Sequence, residues 1–197
     1  KFDSSLPMAK INSDYTNYLT PRISFRYSPN GNSDISSKNI LLDYNNVFSL
    51  NRIGANHEVE GGESLSLGLE FKRNNIKGFN NFDLKIANNL RFKENKLLPA
   101  KSKLNKTRSD IFGNLNYNIN NDFKIGYFFS YDRDLEYSNL EQINFEYGAN
   151  NFFTNFSYYT EDNDIGNKEN IKNFSRYELD KENKISFEMN KDLKDDF

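Results

Sequence analysis

From Pro21 onward the apolar side chains fall, with few exceptions, on every second residue. Ile23, Phe25 and Tyr27 alternate with Arg22, Ser24, Arg26 and Ser28. After a long polar span, Leu65, Leu67, Leu69 and Phe71 repeat the pattern. It returns over residues 82–92, 111–119, 123–131, 143–149, 152–160, 171–179 and 185–189. In extended chain, residues two apart share a face. The pattern therefore predicts roughly nine strands with one apolar and one polar face, and no segment carries a helical period. Residues 1–18 show no clear period, and Pro7 argues against a central strand there.

Such strands could cover a soluble core or face lipid, and composition separates the two. Aromatic residues make up 15% of the chain, yet all hydrophobic residues reach only 36%, and the mean hydropathy is −0.85. A soluble globule of this size usually carries more Leu, Val and Ala for its interior. Aromatic-rich, one-sided strands fit a membrane barrel, whose spans need only about 9–11 alternating residues. No apolar run approaches the ~20 residues of a membrane helix. The net charge of −2 offers no field to recruit nucleic acid. Cysteine is absent, which removes disulfides and thiolate metal sites, and no cofactor-binding pattern is present.

Loop lengths add a second signal. Short connections are expected near residues 73–81, 120–122, 150–151 and 180–183, and long ones near 30–63, 93–109, 132–141 and 161–170. Sorting of loop lengths by end is the habit of an outer-membrane meander, with short periplasmic turns and longer extracellular loops. The fold class expected is thus all-β: an antiparallel up-and-down meander forming a sector of a large transmembrane outer-membrane β-barrel. Arg22 and Arg26 would face its lumen, with Asn114, Asn116, Asn118, Lys124, Ser130, Asn144, Glu146, Asn155 and Ser157. The span 30–63 keeps apolar anchors (Ile40, Leu41, Leu42, Val47, Phe48, Leu50, Ile53) and is read as packed against something. A barrel sector has two unpaired edges, and both ends of the sequence look cut, so a longer protein is expected.

Three stretches carry a resemblance. They are Leu19-Thr-Pro-Arg-Ile-Ser-Phe-Arg-Tyr27, Leu42-Asp-Tyr-Asn-Asn-Val-Phe-Ser-Leu-Asn-Arg-Ile-Gly54 and Glu58-Val-Glu-Gly-Gly-Glu-Ser-Leu-Ser-Leu-Gly68. In that order, across one long loop, they resemble the barrel domain of the LptD (OstA/Imp) family of lipopolysaccharide-assembly proteins. The likeness is close over residues 19–71, a strand–loop–strand segment; residues 72–197 agree as barrel meander. It implies a Gram-negative outer-membrane barrel that passes lipopolysaccharide to the outer leaflet without chemical conversion. It also implies an LptE-like plug lipoprotein in the lumen, and periplasmic bridge proteins reached through a jelly-roll that this sequence lacks. The first and last strands forming the family's lateral gate are expected to lie outside this sequence. The positions matching the motif are Asn51, Arg52, Gly54, Glu58, Gly61 and Gly62.

Each has a plainer reading. Arg52 offers a planar fork to a phosphorylated sugar, but equally pins the loop through backbone carbonyls and acidic neighbours. Gly54, Gly61 and Gly62 are expected to supply positive φ or close backbone approach. His57, the sole histidine, has no nucleophile motif beside it and is read as a loop residue; no enzymatic activity is expected. Asp162-Asn163-Asp164-Ile165-Gly166 with Glu169 clusters oxygens but misses calcium-loop spacing, which favours a solvated loop. The basic stretch 93–108 is likewise read as solvated, with electrostatic contact to phosphates as the alternative. A generic porin-type channel would share the polar lumen, and a soluble all-β carbohydrate-binding module would use the same aromatics. Neither calls for the motif loop.

Overall fold

The computed structural model describes residues 1–29, 31, 33–53, 60–77, 79–163 and 166–194. They form an 11-stranded antiparallel sheet. Its strands are β1 (Phe2–Ser5), β2 (Met8–Ile11), β3 (Tyr15–Ser28), β4 (Gly62–Asn75), β5 (Asn80–Arg91), β6 (Ile111–Asn118), β7 (Phe123–Tyr131), β8 (Ser138–Ala149), β9 (Phe152–Asn163), β10 (Gly166–Glu178) and β11 (Lys184–Asp192). From β3 to β11 each strand pairs with the next in sequence, and β1 and β2 both pair with β3. Among the described residues the sheet is open, and the only helical segment is a 3-10 turn at Lys101–Lys103.

The first edge corrects the sequence reading. Residues 1–11 are extended, and β3 begins at Tyr15, ahead of the alternation that starts at Pro21. Register explains why the pattern is muted there. The β1 ladder ends at Ser5↔Arg22 and the β2 ladder begins at Met8↔Leu19, so the break falls at Leu6–Pro7, opposite Thr20–Pro21. Two prolines, each without an N–H, meet across one interruption. The Leu6 amide donating to the Pro21 carbonyl (3.1 Å) is what remains of the ladder there.

The two faces divide as alternation predicts. Ile23, Phe25, Tyr27, Leu67 and Leu69 stand exposed on the outer face, while Ser24, Arg26, Ser64 and Ser66 are buried on the inner one. Rings collect on the outer face near both strand ends. Phe71, Phe82 and Tyr117 run edge-to-face at 5.9 and 6.3 Å near the short turns, and Tyr127 stacks on Phe129 at 5.5 Å toward the other end. Such belts sit at the two interfaces of a membrane barrel.

Loop lengths follow expectation at one end and depart from it at the other. The short turns span 76–79, 119–122, 150–151 and 179–183. At the opposite end, 29–61 and 92–110 are long, but β7–β8 is joined by 132–137 and β9–β10 by residues 164 and 165 alone. The expected long loop at 161–170 is instead a continued hairpin: Asn163 pairs with Gly166, and Thr160 with Glu169. Asp164 and Ile165 of the suspected cation loop lie outside the described residues.

The core sits where no sheet-on-sheet packing exists. Both long loops fold back onto the inner face. Ile35, Leu42, Tyr44, Val47, Phe48 and Ile53 from the first loop, and Leu98 and Leu104 from the second, cluster on Ala87 of β5 and Phe112 of β6. At about 1.5–3 kcal/mol per fully buried large side chain, this cluster is the main apolar gain available on the inner wall. Of the expected anchors of 30–63, Leu42, Val47, Phe48 and Ile53 are in this cluster and Ile40 packs against it, while Leu41 is half-buried outside it and Leu50 is exposed. The stretch 93–108 does not stay in solvent: Leu98, Lys101, Ser102 and Leu104 are buried.

Candidate functional site

The first loop is fixed by a buried charge cluster. Glu60, just before β4, is 2% exposed and receives three guanidiniums. Arg52 binds it through Nε and Nη2, Arg26 of β3 through Nη1 at 3.1 Å, and Arg91 of β5 through Nη1. Arg52 also donates to Ser64 Oγ (3.0 Å), Asn89 Oδ1 (3.1 Å) and Ser66 Oγ (3.3 Å). Arg91 reaches the Gly61 carbonyl at 2.6 Å, and Arg26 the Ser49 carbonyl. Alternation turns Arg26, Ser64, Ser66, Asn89 and Arg91 to the inner face, and register makes Ser64 the neighbour of both Arg26 and Arg91. Burial by itself would raise the Glu60 carboxyl; the Arg52 hydrogen bonds and the charges of Arg52, Arg26 and Arg91 outweigh it and hold the group below the usual carboxylate range.

Two glycines serve close approach. Gly62 opens β4 at φ +88°, and a Cβ there would lie 2.9 Å from Arg91 Nη2. At Gly68, on the inner face of β4, a Cβ would meet the Phe48 ring at 2.5 Å. The empty side-chain position is the seat into which Phe48 of the loop packs.

The second loop crosses farther along the wall. Lys101 pairs with Glu161 of β9 at 2.7 Å, both nearly buried, and Tyr159 donates to the same carboxylate at 2.6 Å. Asp110 accepts from Ser130 of β7 at 3.0 Å and lies 3.7 Å from Lys103. Burial pushes the Asp110 carboxyl up, against the Asn139, Lys103 and Ser130 contacts that favour its charged form. Consecutive left-handed residues, Ser102 (φ 59°) and Lys103 (φ 52°), turn the loop over at this point. For residues with a Cβ that conformation is uncommon; here Ser102 is buried and is held by the Leu42 amide donating to its Oγ (3.0 Å) and the Asp110 amide donating to its carbonyl (3.1 Å).

Beyond these loops the inner face is open and polar. Asp83, Asn116, Asn118, Lys124, Asn144 and Glu146 line a recess of about 500 Å³ toward the short turns. Arg22, on the same face, pairs with Asp3 at 2.6 Å and lies over the Phe48 ring at 4.3 Å.

A family model described as LptD, LPS transport system D, matches residues 1–188. The chain belongs to the LptD family. This family acts in lipopolysaccharide transport and assembly, and its members are outer-membrane proteins of Gram-negative bacteria. The open all-β meander fits a sector of such a barrel. No curated protein matches the chain.

The LptD motif positions fare differently. Arg52 is at the centre of the cluster, with its donors taken up inside the chain. Gly61 gives its carbonyl to Arg91, and Gly62 supplies the positive φ. Asn51 lies exposed in the turn beside Arg52. Gly54, His57 and Glu58 fall outside the described residues. The carboxylate that Arg52 grips is Glu60, two residues beyond the motif position Glu58. Glu60-Gly61-Gly62 is itself a Glu-x-Gly sequence, and that signal could have found it. Arg26 was singled out only for its face, and Arg91 and Asn89 not at all. Nothing local to those strands announces a partner that approaches from a loop more than 30 residues away.

Proposed function

We propose that this chain is part of an LptD-type barrel wall that carries lipopolysaccharide to the outer leaflet, acting as a conduit with no chemical conversion. One observation carries the reading: every full strand turns an apolar face outward and a polar one inward, and both long loops of one end fold against that polar wall. An outer belt of aromatics suits lipid, and the inner row of Asn, Lys, Glu and Ser suits a hydrated sugar portion. Arg22 and Arg26 belong to the lumen side in this reading. The segment 19–71 is then a strand–loop–strand unit whose loop caps the wall, and 72–197 the meander that continues the wall. The partners follow from the family: lipopolysaccharide, a plug lipoprotein of the LptE kind, and bridge proteins on the periplasmic side.

The test is depletion of the full-length protein in its own bacterium, followed by assay of lipopolysaccharide at the cell surface. Loss of newly made surface lipopolysaccharide, restored by the wild-type gene, is expected. The porin alternative shares the polar wall and its inward loops. Undiminished surface lipopolysaccharide together with lost uptake of small solutes would favour it.

A further inference from the structure

On the inner face of β8–β10, bordering the point where Lys101 of the second loop meets Glu161, lies a recess of about 310 Å³ lined by the strand residues Gln142, Ser157, Tyr159, Lys168, Asn170 and Lys172. Register sets its charge. Lys168 stands directly across from Glu161, but that carboxylate is already held by Lys101, Tyr159 and Asn163. Lys172 stands across from Ser157 on one side and Asn190 on the other. Glu188 and Asp192 share this face on β11, yet neither forms an ion pair with these lysines among the described residues. Both lysines are exposed, about 13 Å apart along the strand, with Asn170 between them. Arg176 continues the same face of β10 by another four residues. Elsewhere on the wall the pattern differs: Arg22, Lys72, Lys85, Lys101 and Lys124 each have a carboxylate within 4 Å.

We propose that this recess is a phosphate-binding subsite for the sugar portion of the transported lipopolysaccharide, with Lys168 and Lys172 as the charged contacts. The inference rests on the conduit reading and adds to it a named position on the wall. Two ammonium groups that form no ion pair among the described residues favour an anion. The amide, hydroxyl and phenol groups between them supply hydrogen bonds of the kind a phosphorylated sugar uses, and a recess of this volume takes one such unit rather than a folded partner. Lys suits a cargo that must leave again, because its flexible point charge binds phosphate without the two-point grip of Arg.

The experiment uses the full-length protein purified in detergent with its plug partner, probed with lipopolysaccharide in native and chemically dephosphorylated forms. For the K168Q/K172Q variant we expect retention of the native form to fall about tenfold at low salt, with the dephosphorylated form unaffected. K168R/K172R should keep most of the binding, and a photo-reactive residue replacing Asn170 should cross-link to glycan. An equal fall for both forms, unchanged binding of the native form, or cross-links from position 170 to the partner protein alone would each overturn the subsite. Wild-type protein that retains neither form would overturn the conduit reading itself. That outcome is distinct from wild-type binding that ignores the two lysines.

Discussion

The inner wall contains two regions built from the same alternating strands but used in different ways. Under the loops, on β3–β6, charges are buried and cross-linked: three arginines on one glutamate, with two serines and an asparagine accepting further bonds from Arg52. On β7–β11, apart from Ser130 and Glu161 where the second loop reaches them, the polar groups are open, and Lys124–Glu146 typifies their pairs at 2.5 Å and near half exposure. What separates the regions is connection length. Where two strands are joined by a long loop, the chain covers its own wall; where they are joined by a short hairpin, the wall is left to solvent or a ligand. The covered region is a scaffold and the open one a surface.

Glu60→Gln tests that contrast most severely. It leaves three buried guanidiniums around a neutral amide, and removing one member of a buried charge cluster costs about 3–5 kcal/mol. Denaturant unfolding of the full-length protein should register the loss, along with new protease cleavage within 30–61; an unchanged midpoint would mean that the cluster does not hold the loop. Gly68→Ala should cost less, about 1–3 kcal/mol, because the added methyl drives into the Phe48 ring. Phe48→Leu in the same background should recover part of it.

The two buried carboxylates of the covered region should oppose each other in pH. Glu60 is depressed, so its contribution is present above the unfolded carboxylate range and is lost as pH falls through its lower folded value. Asp110 is raised, so its contribution is full below the unfolded value and is lost as pH rises through its higher folded one. Stability measured from acid to neutral pH should therefore lose its acid-side decline in Glu60→Gln and gain on the neutral side in Asp110→Asn. Matching profiles for the two variants would contradict the assignment. The smallest effect belongs to the open region: Lys124→Gln should change stability by less than about 1 kcal/mol, as half-exposed ion pairs do. A larger loss there would erase the distinction between the two regions.

Much of this was legible in the residues. Period-two alternation gave the faces of β3 to β11, because burial and lipid exposure act on each strand independently of its neighbours. The apolar anchors of 30–63 announced a docked loop. The basic stretch 93–108 misled, since its lysines outweigh Leu98 and Leu104 by count, although those two leucines and the buried Lys101 decide where it lies. The hairpin at 161–170 also misled: its polar residues look like a loop when read alone, but cross-strand pairing of Glu161 and Thr160 with Lys168 and Glu169 keeps them in the sheet.

By itself the sequence determined that this is an all-β chain with one wet and one greasy face, since that follows from side-chain parity, a local property. It also carried the LptD motif. Only the tertiary structure decided that Glu60 is the carboxylate for Arg26, Arg52 and Arg91, that Gly68 is the seat of Phe48, and that Lys101 takes the Glu161 carboxylate that faces Lys168. Each depends on which strands become neighbours and how far a loop reaches across them. Such facts arise from register and chain closure over long separations, and no single stretch of residues encodes them.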